Sequence, residues 1–146
     1  AFNLYGARDH YDDASSHVVP ALIKKIEDGM NPVVVWGTGN QTRTFVNARD
    51  LAFFLLALTM KKTDADPVNI GHDQEISMLN LVKLLGTVTE REFDIVCDLT
   101  KPNGYERRVC DNTKLKSILG ITPPTIYFEV GLTEHVQDYR KRYGKK

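Results

Sequence analysis

Few residue patterns in this 146-residue chain could do chemistry unaided. Cys97 and Cys110 are its two cysteines. They are too few for a disulfide framework and read as reduced, mostly buried thiols of a cytoplasmic protein. No Cys-x-x-Cys or His-Glu-x-x-His spacing occurs, so the ligand pattern of a protein-built zinc site is missing. Gly37-Thr-Gly39 comes nearest to a dinucleotide-binding glycine turn, but Thr42 stands at its third position. Such a turn needs glycine so that backbone amides can approach a pyrophosphate. None of the six tyrosines has a lysine four residues later. The Tyr-x-x-x-Lys pair, in which lysine lowers the tyrosine pKa, is therefore absent from these residues.

Composition narrows the class further. Nineteen Lys and Arg offset nineteen Asp and Glu, which argues against a dedicated nucleic-acid binder. With 42% hydrophobic residues the chain also lacks the signature of wholesale disorder. The longest apolar run, Leu51 to Leu58, is eight residues, well short of the roughly 18 that span a membrane. The start, Ala1 to Gly6, has no signal-peptide pattern. Five of the last seven residues, Arg140 to Lys146, are basic. They read as a solvated helix end near its negative dipole pole, or less simply as a partner-binding tail.

The elements that must position any site alternate in type. Extended runs are expected at 2–5, 32–36, 42–46, 68–71, 93–97 and 107–110. The segments 7–15 and 98–106 are polar and read as loops. Helices are expected from Ser16 to Asp28, Ala48 to Lys61, Ser77 to Leu85, after Asp111 up to Gly120, and from Thr125 to Tyr143. Ser15 or Ser16, Asn47, Asp111 and Thr125 are the expected caps, and Gly29 the stop of the first helix. Val18, Ala21, Leu22 and Ile26 give that helix its apolar spacing. The helix from Ala48 is apolar almost all round and is expected deep in the structure. Strands separated by helices define an α/β fold.

Four stretches together are familiar in order and spacing. They are Asn3-Leu-Tyr-Gly6; Ser16-His-Val-Val-Pro-Ala-Leu-Ile-Lys-Lys25; Val33 to Gly39 continuing through Arg43-Thr-Phe-Val-Asn-Ala-Arg-Asp-Leu-Ala52; and Lys101-Pro-Asn-Gly104 with Arg107-Arg108. The chain resembles the C-terminal half of extended short-chain dehydrogenase/reductases of the NAD-dependent epimerase/dehydratase family, in particular the GDP-L-fucose synthase branch. Asn69-Ile-Gly71 before an Ile-Ser helix fits the same family. The resemblance implies one substrate-binding domain over residues 1–146. A Rossmann half outside these residues would bring NADP, the catalytic Ser and the Tyr-x-x-x-Lys pair. No cofactor is expected for this chain alone.

The resemblance also implies a site. Arg43 matches a position that grips the nucleotide diphosphate, and a planar guanidinium suits two phosphate oxygens. Trp36 matches a residue lining the nucleotide pocket. Lys25 stands where this branch usually has a substrate-binding arginine, and Lys101 matches the lysine of the Lys-Pro-x-Gly loop. Asn3 would hydrogen-bond substrate from a strand end. His17 matches the acid of an epimerisation, a role open to an imidazole that titrates near neutrality. His10, His72 and His135 match no catalytic position and are expected at the surface. Ala7, Ala48-Arg49, Asn103 and Tyr105 depart from the family pattern.

The implied function is binding of a GDP-4-keto-6-deoxy-hexose for NADPH-dependent epimerisation and reduction, with no turnover by the chain alone. The alternatives are a non-catalytic nucleotide-sugar binding or assembly module, and part of a UDP- or dTDP-sugar epimerase or dehydratase. Apolar surface left bare by a missing half would drive homo-oligomers or association with a Rossmann half. No nucleic-acid or membrane partner is implied.

Overall fold

A computed structural model of the chain describes residues 1–12, 15–61 and 64–144. Asp13 of the expected polar loop, and Lys145 and Lys146 of the basic tail, lie outside the described residues. The architecture is α/β, with short strands and helices in the order β1 (Leu4–Tyr5), α1 (Val18–Glu27), β2 (Val33–Trp36), β3 (Thr42–Arg43), β4 (Val46–Asn47), α2 (Ala48–Lys61), β5 (Ile76–Ser77), α3 (Met78–Thr89), β6 (Ile95–Asp98), β7 (Arg107–Arg108), α4 (Thr113–Leu119) and α5 (Phe128–Tyr143). The strands form three small sheets. β1 pairs parallel with β4, and β2 with β6. β3 lies between antiparallel β5 and parallel β7.

The main core is a three-helix contact of α1, α3 and α5 laid against β2. From α3 come Met78, Leu81, Val82 and Leu85, the stripe expected from the sequence, all buried. On α1 the buried stripe is Val19, Leu22, Ile23 and Ile26, so the helix is turned from the expected face and Val18 is exposed. Its N-cap is His17, not a serine, and no side chain caps it. The serines serve the preceding loop instead: Ser15 Oγ donates to Asp12 at 2.9 Å and Ser16 Oγ to the His10 carbonyl at 3.2 Å. Gly29 does close α1. At φ +83° its N–H donates to the Ile26 carbonyl, and Met30 N–H to that of Lys25. This paired closure satisfies carbonyls the helix end leaves free.

Helix α2 keeps its expected bounds but not its expected depth. Phe54 is buried with Val46, Ile70 and Leu115 in a second, smaller core. Phe53, Leu55, Leu56 and Met60 are exposed, Met60 by 86%. An all-round apolar pattern reports what a helix can bury, and here one side only is covered. Asn47 caps α2, its Oδ1 accepting the Arg49 N–H at 2.9 Å. Residues 68–71 form no strand, although the Ile70 carbonyl accepts the Phe2 N–H at 3.1 Å. Thr125 does not cap α5, which starts three residues later. Its hydroxyl and N–H, with the Ile126 N–H, instead satisfy the buried carboxylate of Asp50. A buried charge needs such partners.

Two histidines correct the surface expectation. His135 lies fully buried on α5 between Leu132 and Val136, its ring stacked on Tyr5 and tilted against Tyr11. His72 is buried as well, with Nδ1 accepting the Gln74 N–H at 2.8 Å. Among the described residues no helix is long and apolar enough to cross a membrane.

Candidate functional site

The turn after β2 is the structural centre of the site. Gly37 (φ +69°) and Gly39 (φ +74°) adopt the left-handed conformation that favours glycine. The turn is gripped from two sides: the Cys97 thiol on β6 donates to the Thr38 carbonyl at 3.4 Å, and Thr38 N–H donates to Asn103 Oδ1 at 2.7 Å. A side chain at Gly37 would overlap Asn103, and one at Gly39 would meet Leu79 Cβ at 3.2 Å. Asn103 thus occupies the space directly over Gly37, and Leu79 the space over Gly39.

Around this turn the structure brings together three of the residues expected from the sequence. Trp36, at the end of β2, is 57% exposed, and Lys101 Nζ lies over its ring at 5.7 Å from the centroid. The loop that carries Lys101 passes on to Gly104, where an added Cβ would lie 3.7 Å from Arg43 Nη2. Arg43 steadies itself through Nη1 on the Thr42 carbonyl at 2.7 Å. Among the described residues Arg43 and Lys101 have no carboxylate within ion-pair distance.

One neighbour was missed by sequence reasoning. The parallel register of β3 and β7 places Arg108 opposite Arg43, so both side chains leave the same face of the sheet. The adjacent Arg107 is instead bound to Glu75, which also accepts from the Thr42 hydroxyl at 2.9 Å. These partners, Arg107 first, hold the Glu75 carboxyl below its ordinary value. Two successive arginines thus have different duties. Only strand pairing, which spacing does not reveal, tells which one stands beside Arg43.

The other expected residues lie elsewhere. Asn3 has φ +36°, and its Nδ2 donates to the Thr44 carbonyl at 2.7 Å, tying β1 to the end of β3. His17 lines a cleft of about 220 Å³ with Tyr5, Gly6, Ala7 and Asp9. Its side chain is 69% exposed, with Nδ1 3.9 Å from Asp9 Oδ1 and its ring edge-on to His10. Lys25 is half-buried in the last turn of α1. A larger groove of about 510 Å³ between His72, Glu75 and Phe128 holds none of these residues. Asp73, Glu75 and Glu129 on its walls, with no lysine or arginine, would repel a diphosphate. The thiols are half-buried and free, and burial pushes Cys110 up to about 11.

Similarity to known proteins places the chain in a class. It belongs to the NAD-dependent epimerase/dehydratase family, whose family model matches residues 1–71. It is 37% identical over 143 residues to GDP-L-fucose synthase 1 of Arabidopsis thaliana, covering 95% of this chain and 44% of that protein. The chain thus spans less than half the length of such relatives. A GDP-L-fucose synthetase from Naegleria fowleri, also solved bound to NADP, superposes with a TM-score of 0.87 at 24% identity, over 97% of this chain and 45% of that one. UDP-glucose 4-epimerase of Thermotoga maritima with UDP-glucose gives a TM-score of 0.85 at 28% identity, over 96% and 44%.

Proposed function

We propose that the chain is the nucleotide-sugar-binding part of an NADP-dependent epimerase/reductase acting on a GDP-4-keto-6-deoxy-hexose. The observation that carries the reading is the grouping of Arg43, Lys101 and Trp36, two cations with no carboxylate within ion-pair distance among the described residues, beside an exposed aromatic face. Arg43 would take the diphosphate by its fork, joined by Arg108 across the sheet. Trp36 would cover base or sugar under the charge of Lys101. Asn3 and Lys25 would contribute from the strand end and from α1. His17 would hand a proton to the carbon beside the ketone.

Hydride transfer would need the NADP machinery of a complete enzyme, because these residues carry neither the Gly-rich turn motif nor a Tyr-x-x-x-Lys pair. The exposed face of α2 would associate with a second copy or with a Rossmann half. The free thiols suit a reducing compartment such as the cytoplasm. Calorimetric titration of the chain with GDP, UDP and dTDP tests the reading. GDP should bind most tightly, and Arg43→Ala should abolish the heat. Equal or undetectable binding of all three by the wild type would overturn it.

A further inference from the structure

The loop from Leu99 to Glu106 bears Lys101 and reaches Arg43, yet it is exposed throughout. No apolar side chain anchors it: Leu99 is 73% exposed and Tyr105 78%. An exposed eight-residue loop would ordinarily sample many positions, because ordering each residue costs roughly 1–2 kcal/mol. Lys101 could then not be held over one ring. Something must fix the loop at the site end, and the structure shows one side chain that does so.

Asn103 places Oδ1 2.7 Å from the Thr38 amide nitrogen and 3.4 Å from Thr38 Oγ1. The amide oxygen fills the space left by the missing side chain of Gly37, and Gly37 is buried beneath it although Asn103 is exposed. The fit is reciprocal. The left-handed glycine turns the Thr38 N–H outward, and the absent Cβ lets the asparagine reach it. At the near end the loop is pinned by three bonds to Asp98: the Lys101 N–H reaches its carbonyl at 3.1 Å, and the Thr100 N–H and hydroxyl reach its carboxylate at 3.0 and 2.6 Å. At the far end the Thr42 N–H donates to the Glu106 carbonyl at 2.8 Å. Asn103 is the tie between these anchors. Lys101 lies two residues before it, and the next residue, Gly104, lies against Arg43.

We propose that Asn103 is a positioning residue for the nucleotide site: by latching onto Thr38 through the gap at Gly37, it holds Lys101 over Trp36 and the loop backbone beside Arg43, so that the cations meet an incoming diphosphate already in place. The inference rests on the proposed nucleotide reading for its consequence, and on geometry alone for the latch. A neutral amide also suits the place. It supplies the acceptor oxygen without setting a negative charge among Arg43, Lys101 and Arg108.

Trp36 is the sole tryptophan, so its emission reports on the latch directly. Three measurements on the full 146-residue chain separate the two layers: hydrogen exchange at the Thr38 amide, acrylamide quenching of Trp36, and GDP titration followed by Trp36 emission. In Asn103→Ala the Thr38 amide should lose its protection and Trp36 should become more quenchable. GDP should bind about fivefold to tenfold more weakly, the scale of one lost charge-neighbouring hydrogen bond. Asn103→Asp keeps the acceptor, so Thr38 protection and Trp36 cover should return to wild-type values. Unchanged Thr38 exchange and Trp36 quenching in Asn103→Ala would overturn the latch. Wild-type GDP affinity and emission change in that variant would overturn its positioning role. If the latch readouts move but the wild type binds no GDP, the nucleotide reading fails and the latch stands.

Discussion

Two side chains carry opposite lessons about charge. Arg43 lies half-buried beside a loop glycine, with a peptide carbonyl as its described partner. Replacing it by lysine keeps the charge but loses the planar fork, so GDP affinity should fall about threefold to tenfold, and by more in Arg43→Ala. A calorimetric series at fixed ionic strength checks the order wild type, lysine, alanine. His135 is the converse case, a titratable ring that must stay neutral. Both its nitrogens are buried without a hydrogen-bond partner among the described residues, and burial, only partly opposed by Asp9 and Asp138, pulls it down to about 4. The unfolded chain takes up this proton near the ordinary value of 6.5, and the folded chain does so only near 4. Between those values the unfolded state binds more protons, so stability should rise with pH and be lost on acidification. The contribution is on the order of 2–3 kcal/mol. His135→Phe should flatten the fall in melting temperature between pH 6.5 and 4, and an equal fall in both proteins would refute the assignment.

At the scale of elements, close approach of α5 to β1 depends on one missing side chain. A Cβ at Gly131 would overlap the Tyr5 hydroxyl and lie 2.7 Å from Asn47 Nδ2. Gly131→Ala gains about 1 kcal/mol of helix propensity but overpacks a buried contact at about 1–3 kcal/mol. The expected outcome is net destabilisation, read as a lower denaturant midpoint with unchanged slope, and a gain in stability would count against this packing. The elements themselves were largely legible in the sequence. The α3 stripe and both ends of α2 follow from periodicity, and the end of α1 from Gly29. What was not legible depends on partners far along the chain. Thr125 reads as a cap until Asp50, 75 residues away, claims its hydroxyl. Arg107 and Arg108 are indistinguishable until strand register assigns one to Glu75 and the other to the side of Arg43. Asn103 reads as a loop variation until the turn at Gly37 is seen beneath it.

For the molecule as a whole, the uncovered side of α2 is the feature that bears on self-association. Phe53, Leu56 and Met60 recur at positions 0, 3 and 7 of one helix and therefore share a face. All three are exposed, while Phe54 on the opposite side is wholly buried. The chain has no net charge to oppose self-association. The face is therefore expected to pair with its counterpart on a second copy, since an isologous contact needs only one self-complementary patch. Light scattering should give a mass that rises with concentration above that of the monomer across the micromolar range. The double variant Leu56→Glu, Met60→Lys should shift the chain toward monomer. Its helical circular dichroism and denaturant midpoint should stay near the wild type, because neither side chain belongs to the second core. It should also leave GDP affinity unaltered, since α2 contributes no side chain to the Trp36–Lys101–Arg43 surface. A wild type that remains monomeric at high micromolar concentration would show that this apolar face does not drive self-association.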